Sequence, residues 1–271
     1  MTDSDGIATS PQFTANGTIG ILTATATVAG LPQPASFRLE NLPGRGERLF
    51  ALGSPARSAT VGQRYSHKLR VLVRDANGTP QVGATVTFTL GGAGSGSSAG
   101  SGATAGASFA GGASTATATT GIHGIATSPS ITAGSGAGTF AATATATTTT
   151  STARFTLRNR AGKPATITAG IAAAEETRAG TRFAIALAVT VTDALGNKVP
   201  GALVTFTAPA SGASGTFDTP AHAHAVSVRT DAGGVAVAPP FTASTQPGGY
   251  VVIAAVAHGP RTAFALVNDA P

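Results

Sequence analysis

Two histidines one residue apart, a Gly-x-Ser-x-Gly pentapeptide and a pair of aspartates ahead of a glycine are the places where this chain meets the spacing that chemistry requires. Gly96-Ser97-Ser98-Ala99-Gly100 fits the serine-hydrolase pattern. That pattern works only on a strained strand-to-helix turn that lifts the Ser beneath an oxyanion hole. Here the flanking sequence is almost wholly Gly, Ser and Ala with no helical periodicity, so the match reads as chance. His222-Ala223-His224 sets two imidazoles on one face of an expected strand, a spacing compatible with zinc, and His222 and His224 are the candidate metal ligands. A catalytic zinc needs a third protein ligand and partners that hold the imidazoles in place. His258 would supply the third only if the fold brought it close.

Asp3-Ser4-Asp5-Gly6 begins like a calcium loop but lacks the later Asp or Asn and the closing Glu, and reads as a hairpin turn. Asp75 and Asp193 precede turns whose backbone a carboxylate can cap. His67 falls in the inward register of an expected strand, at the position Ile185 holds further on. Lone carboxylates at equivalent turns do not make an acid/base pair. The expectation is therefore a non-enzymatic chain with no catalytic residue and no cofactor.

The elements around these residues are built from a narrow alphabet. Of 271 residues 36 are Gly and 16 Pro, only 10% are charged, and the 42% hydrophobic fraction is mostly Ala and Val with a few Phe anchors. Alternating Thr and Ala punctuated by Gly favours strands and turns over helices. With no Cys there is no disulfide framework, thiolate metal site or cysteine nucleophile. The net charge is +6. Arg45, Arg48, Arg57, Arg64, Lys68, Arg70 and Arg74 have only Phe50 and Tyr65 among them for stacking. This reads as a solvated basic face, the alternative being weak attraction to anionic surfaces such as cell-wall polymers, and not as a nucleic-acid interface. Met1 to Asp5 has neither a basic n-region nor an apolar h-region, so no signal peptide is visible. The longest apolar run, Phe183 to Val191, is about half the ~20 residues that cross a bilayer, and no membrane insertion is expected.

Three copies of one pattern set the domain organisation. Gly6-Ile7-Ala8-Thr9-Ser10-Pro11, Gly124-Ile125-Ala126-Thr127-Ser128-Pro129 and Gly234-Val235-Ala236-Val237-Ala238-Pro239 are followed by Phe13-Thr14-Ala15, Ile131-Thr132-Ala133 and Phe241-Thr242-Ala243. They close on Phe37 to Asn41, Phe155 to Asn159 and Phe264 to Asn268. The prolines lie 118 and 110 residues apart, far beyond the ~20–50 residue period of solenoids, so the repeating unit is a whole domain. Residues 1–42 match only its closing half, 43–161 form the first complete unit and 162–271 the second.

Within each complete unit about seven short alternating strands are expected, as in an immunoglobulin-like β-sandwich. Tyr65, His67, Leu69, Val71 and Val73 should share one face of a strand, as should Phe183, Ile185, Leu187, Val189 and Val191. Val86 with Phe88, and Val204 with Phe206, should point inward from the returning strands. Pro43 to Arg48 reads as a linker. Gly91 to Gly112, with almost nothing to bury, reads as a mobile loop inserted between core strands.

The set Val189-Thr190-Val191-Thr192-Asp193, Val204-Thr205-Phe206-Thr207, Ser211 to Phe217, Thr230 to Ala236 and Gly249-Tyr250-Val251-Val252 resembles bacterial Ig-like repeats of the group-1 type found in invasin- and intimin-like adhesins. The resemblance implies an all-β chain of tandem immunoglobulin-like β-sandwiches. It further implies an extracellular or cell-surface location and a role as a rod-like spacer or cell-adhesion segment. The implied partners are neighbouring Ig-like repeats and host or cell-envelope surface components. The alternative is an accessory carbohydrate- or surface-binding module of a secreted enzyme or phage particle, which two Tyr and no Trp equip poorly for stacking on sugars. The orphan half at 1–42 suggests self-association by strand addition.

Overall fold

The computed structural model describes residues 2–16, 18–42, 46–91, 105–147 and 150–270. Apart from two three-residue 3₁₀ turns, its regular elements are all strands. The first is a hairpin, β1 (Gly20–Ala26) with β2 (Ala35–Asn41), in register from Gly20 opposite Asn41 to Ala26 opposite Ala35 and with no third strand among the described residues.

The next unit comprises β3 (Gly46–Ala51), β4 (Ala56–Thr60), β5 (Arg70–Asp75), β6 (Thr85–Leu90), β7 (Ala107–Phe109), β8 (Thr115–Thr119), β9 (Ile125–Thr127), β10 (Ile131–Ala133), β11 (Gly138–Ala146) and β12 (Thr152–Arg160). They form a three-stranded sheet β3-β5-β9, a five-stranded sheet β4-β12-β11-β6-β8 and the pair β7-β10. The last unit repeats the order with β13 (Thr166–Ala169), β14 (Ala174–Arg178), β15 (Ala188–Thr192), β16 (Leu203–Thr207), β17 (Gly215–Phe217), β18 (Ala225–Arg229), β19 (Val235–Val237), β20 (Phe241–Ala243), β21 (Gly248–Val256) and β22 (Arg261–Asp269). Its sheets are β13-β15-β19, β14-β22-β21-β16-β18 and β17-β20. In both units the first edge strand breaks in two. Its first piece runs antiparallel in the small sheet, and its second runs parallel to the closing strand of the large one. This split and the three-residue strands raise the expected seven to ten.

Each pair of sheets encloses its own core, as a β-sandwich requires. Leu49, Val71, Val73 and Ala126 of the small sheet meet Val86, Phe88, Ala142, Phe155 and Leu157 of the large one. In the last unit Ile167, Val189 and Val191 meet Val204, Phe206, Val252, Phe264 and Leu266. Phe206 lies 6.3 Å from both Phe217 and Phe264, and Phe217 lies 4.7 Å from Phe241, so aromatic contacts bridge the small-residue background. The alternation is strict on β12, where Ala153, Phe155, Leu157 and Asn159 are buried while Arg154, Thr156 and Arg158 face out. Between β6 and β8, Thr85, Thr87 and Thr89 stand opposite Thr119, Thr117 and Thr115 on the outer surface. Threonine keeps this part of the face polar without charge, while β12 adds Arg154 and Arg158 to the same face.

Several expectations need correction. His67 and Ile185 do not point inward. β5 and β15 begin only at Arg70 and Ala188, and the chain bends before them, so buried side chains are spaced four apart, Tyr65 to Leu69 and Phe183 to Leu187. His67 is exposed, its Nδ1 2.8 Å from the Ser66 hydroxyl. The expected linker is shorter, because Gly46 to Arg48 already belong to β3. Of the expected mobile loop at 91–112, residues 92–104 lie outside the described residues. Its last part is ordered, since β7 pairs with β10 and buries Phe109 in the core.

Candidate functional site at the joint between sandwiches

The best-built polar cluster joins the two complete units. The turn after β15 starts at Asp193, whose Oδ1 accepts the N–H groups of Leu195 and Asn197, each at 2.9 Å. A carboxylate at the first turn position commonly does this, and Asp75 does the same for Asn77 and Thr79. Asn197 then reaches across to the loop between β10 and β11 of the preceding unit. Its Oδ1 accepts the Ala137 N–H at 2.8 Å, and its Nδ2 donates to the Ser135 carbonyl at 2.8 Å. The same Nδ2 sits 3.0 Å from Asp193 Oδ2, and that oxygen also accepts the N–H of Gly162 in the connecting segment at 2.7 Å.

Both side chains are buried, Asp193 4% and Asn197 5% exposed. The receiving loop is held from inside its own unit. Asn159, buried at the end of β12, donates to the carbonyls of Gly136 at 3.0 Å and Gly106 at 2.7 Å, and its Oδ1 accepts the Tyr65 hydroxyl at 2.6 Å. One continuous hydrogen-bonded path therefore runs from the core of one sandwich through the loop to the turn of the next. Desolvation by burial pushes the Asp193 carboxyl upward. The hydrogen bonds from Gly162, Asn197 and Leu195 outweigh it and hold the group below the usual carboxylate range. The charged form is the one that fits the joint.

The residues at the neighbouring positions differ. In the preceding unit Thr79 occupies the position of Asn197, and Gly17 and 43–45, the equivalents of Ser135 and of the connecting segment, lie outside the described residues. At the far pole of the last unit Thr245, Gln246 and Pro247 replace Ser135, Gly136 and Ala137. Pro247 has no N–H to offer a side chain like Asn197.

The structure does not assemble the candidate chemical residues into a site. His222 has φ of 43° and lies in the turn before β18, so His222 and His224 do not share a strand face. The cause is local: the His222 N–H bonds the Thr219 carbonyl at 2.9 Å and closes the turn. His224 Nδ1 sits 3.0 Å from the Gly215 carbonyl. Among the described residues no three His, Cys, Asp or Glu converge as a metal site. Asp3 caps a hairpin turn, its Oδ1 accepting the N–H groups of Asp5 and Ile7, and Asp231 serves Gly233 and Val235 identically. Ser97 and Ser98 lie outside the described residues. Among those described no helix is long and apolar enough to cross a membrane.

No family model matches the chain, and no curated protein matches it. Among solved structures it is similar to FdeC, an Escherichia coli adhesin, at 18% identity over 94% of this chain and 75% of that one, with a TM-score of 0.44. It is also similar to Yersinia pseudotuberculosis InvD, at 17% identity over 82% of this chain and 57% of that one, with a TM-score of 0.48. A third is invasin, described as a bacterial integrin-binding protein, at 18% identity over 82% and 39%, with a TM-score of 0.33.

Proposed function

We propose that this chain is a non-enzymatic spacer or adhesion segment of a bacterial surface or secreted protein, in which successive Ig-like sandwiches are locked to one another to hold a distal partner away from its anchor. The observation that carries this reading is the buried Asn197 bridge. A side chain from one unit that satisfies both a donor and an acceptor of the next couples their orientations without a large apolar interface. The Thr-rich outer surface of β6 and β8 suits a segment that needs solubility more than recognition. The sequence resemblance to Ig-like repeats of adhesins points the same way, and an extracellular location follows from it.

The alternative, an accessory module binding carbohydrate or another surface, has little aromatic material to work with. Tyr65 and Tyr250 are both buried, and burial pushes both phenols well above their ordinary range. A screen of the 271-residue chain against glycan arrays and host-matrix proteins separates the two. The spacer reading expects no saturable binding, whereas specific glycan binding lost on substituting residues at one sandwich pole would establish the alternative.

A further inference from the structure

Residues 6–16 and 18–41 carry the internal face of a sandwich with no cover among the described residues. Position by position they match the closing halves of the two complete units, yet aromatic positions buried there are exposed here. Phe37 is 53% exposed, whereas its equivalents Phe155 and Phe264 are 2% and 0%. Phe13 is 68% exposed, against 1% for both Ile131 and Phe241.

A second observation is independent of these side chains. Gly124 and Gly234 sit at positive φ where an added Cβ would lie 2.6 Å from the Val73 carbonyl oxygen and 2.8 Å from that of Val191. Only glycine lets the strand ahead of it pass so close. Gly6 keeps the residue and the conformation, with φ of 78°, but among the described residues an added Cβ there would meet nothing within 4 Å. The glycine is fitted to a strand equivalent to β5 or β15, and no described residue supplies one.

From this we infer that residues 6–16 and 18–41 form a docking surface for the front half of another unit of the same kind, a polypeptide outside these 271 residues. The complete units fix its chemistry and register. On β11, Ala142, Ala144 and Ala146 face Leu90, Phe88 and Val86 of the antiparallel β6. On the hairpin the corresponding positions are Ala24, Ala26 and Val28. The occupant therefore brings an antiparallel strand with large apolar residues at alternate positions to the free edge of β1, and a second strand past Gly6. Strand addition of this type draws affinity from main-chain hydrogen bonds and register from alternate side chains. A second copy of this chain does not fill the role, because its front halves are already closed into their own cores. This inference does not depend on the spacer reading.

The test places a duplicate of residues 43–123 directly ahead of Gly6 in the otherwise intact chain, so that position 123 precedes Gly6 as it precedes Gly124. Hydrogen exchange is read in both chains. The expected result is slowing of the 20–26 amides by about a hundredfold over the parent chain, together with a third cooperative melting transition. Phe37→Ala should remove that transition in the extended chain and leave the parent's melt unchanged. If the added half does not fold, the synthetic peptide Gly83–Gly91 mixed with the parent chain decides, protection of residues 20–26 supporting the assignment and its absence overturning it. Unslowed 20–26 exchange in a folded extended chain overturns it. So does protection in the parent chain alone that rises with concentration, because a second copy would then be the occupant.

Discussion

Two buried asparagines and the tyrosine that serves one of them show how single residues tune otherwise equivalent units. Asn159 and Asn268 end the closing strands of the two sandwiches, and each donates its amide into nearby loops, Asn268 to the Ser214 carbonyl at 2.9 Å and the Gln246 carbonyl at 3.1 Å. Asn159 Oδ1 has the Tyr65 hydroxyl as donor, whereas Asn268 Oδ1 is buried without a partner among the described residues. The difference traces to Phe183, which occupies the position of Tyr65 and stacks on Phe241 at 5.8 Å. Restoring the donor with Phe183→Tyr should stabilise the last unit by about 0.5–1.5 kcal/mol, and Tyr65→Phe should cost the other unit about 1–3 kcal/mol by leaving Asn159 half satisfied. Chemical denaturation of both variants checks this, with unchanged midpoints counting against the hydroxyl's role. At Phe206 the cost is one of packing. Its side chain is fully buried among aromatics, so Phe206→Ala should remove about 3–5 kcal/mol from a domain whose whole stability is about 5–15. Calorimetry should show the last unit's transition lowered or lost while the preceding unit melts as before.

At the level of elements, the turn between β15 and β16 carries a pH dependence that the sequence hid. The Asp193 carboxyl titrates below its ordinary value in the folded chain. Its contribution is therefore complete above the unfolded value near 4 and is lost as pH falls through the lower folded value. Amide shifts of Gly162 and Asn197 followed by NMR should titrate together with a midpoint below that of an unperturbed aspartate; a midpoint at or above about 4 would contradict the hydrogen-bonded assignment. The sequence made the turn itself legible, because Asp-x-x-Gly-Asn is ordinary turn chemistry. It did not show where Asn197 points, since nothing in a turn motif distinguishes a side chain that faces water from one that faces a neighbour 60 residues earlier. The inward strands were legible for the same reason that His67 was misplaced. Period-two alternation holds within β6, β12, β16 and β22, and it fails where the chain bends ahead of β5 and β15. Histidine spacing misled in the same way, because a two-residue step marks one face only if the segment is extended.

For the whole molecule, repetition was the strongest signal in the chain. Spacing of 118 and 110 residues announced units of domain size, and the strand order recurs in both complete sandwiches. What repetition did not announce was the coupling between units, because the joint residues differ from copy to copy: Asn197 against Thr79, Ala137 against Pro247. By this bridge Asn197 fixes the two complete sandwiches relative to one another. Residual dipolar couplings measured separately for residues 46–160 and 166–269 test it most directly. One shared alignment tensor is expected for both units in the native chain, and two differing tensors in Asn197→Ala. Two independent tensors already in the native chain, or a shared tensor that survives Asn197→Ala, would contradict it.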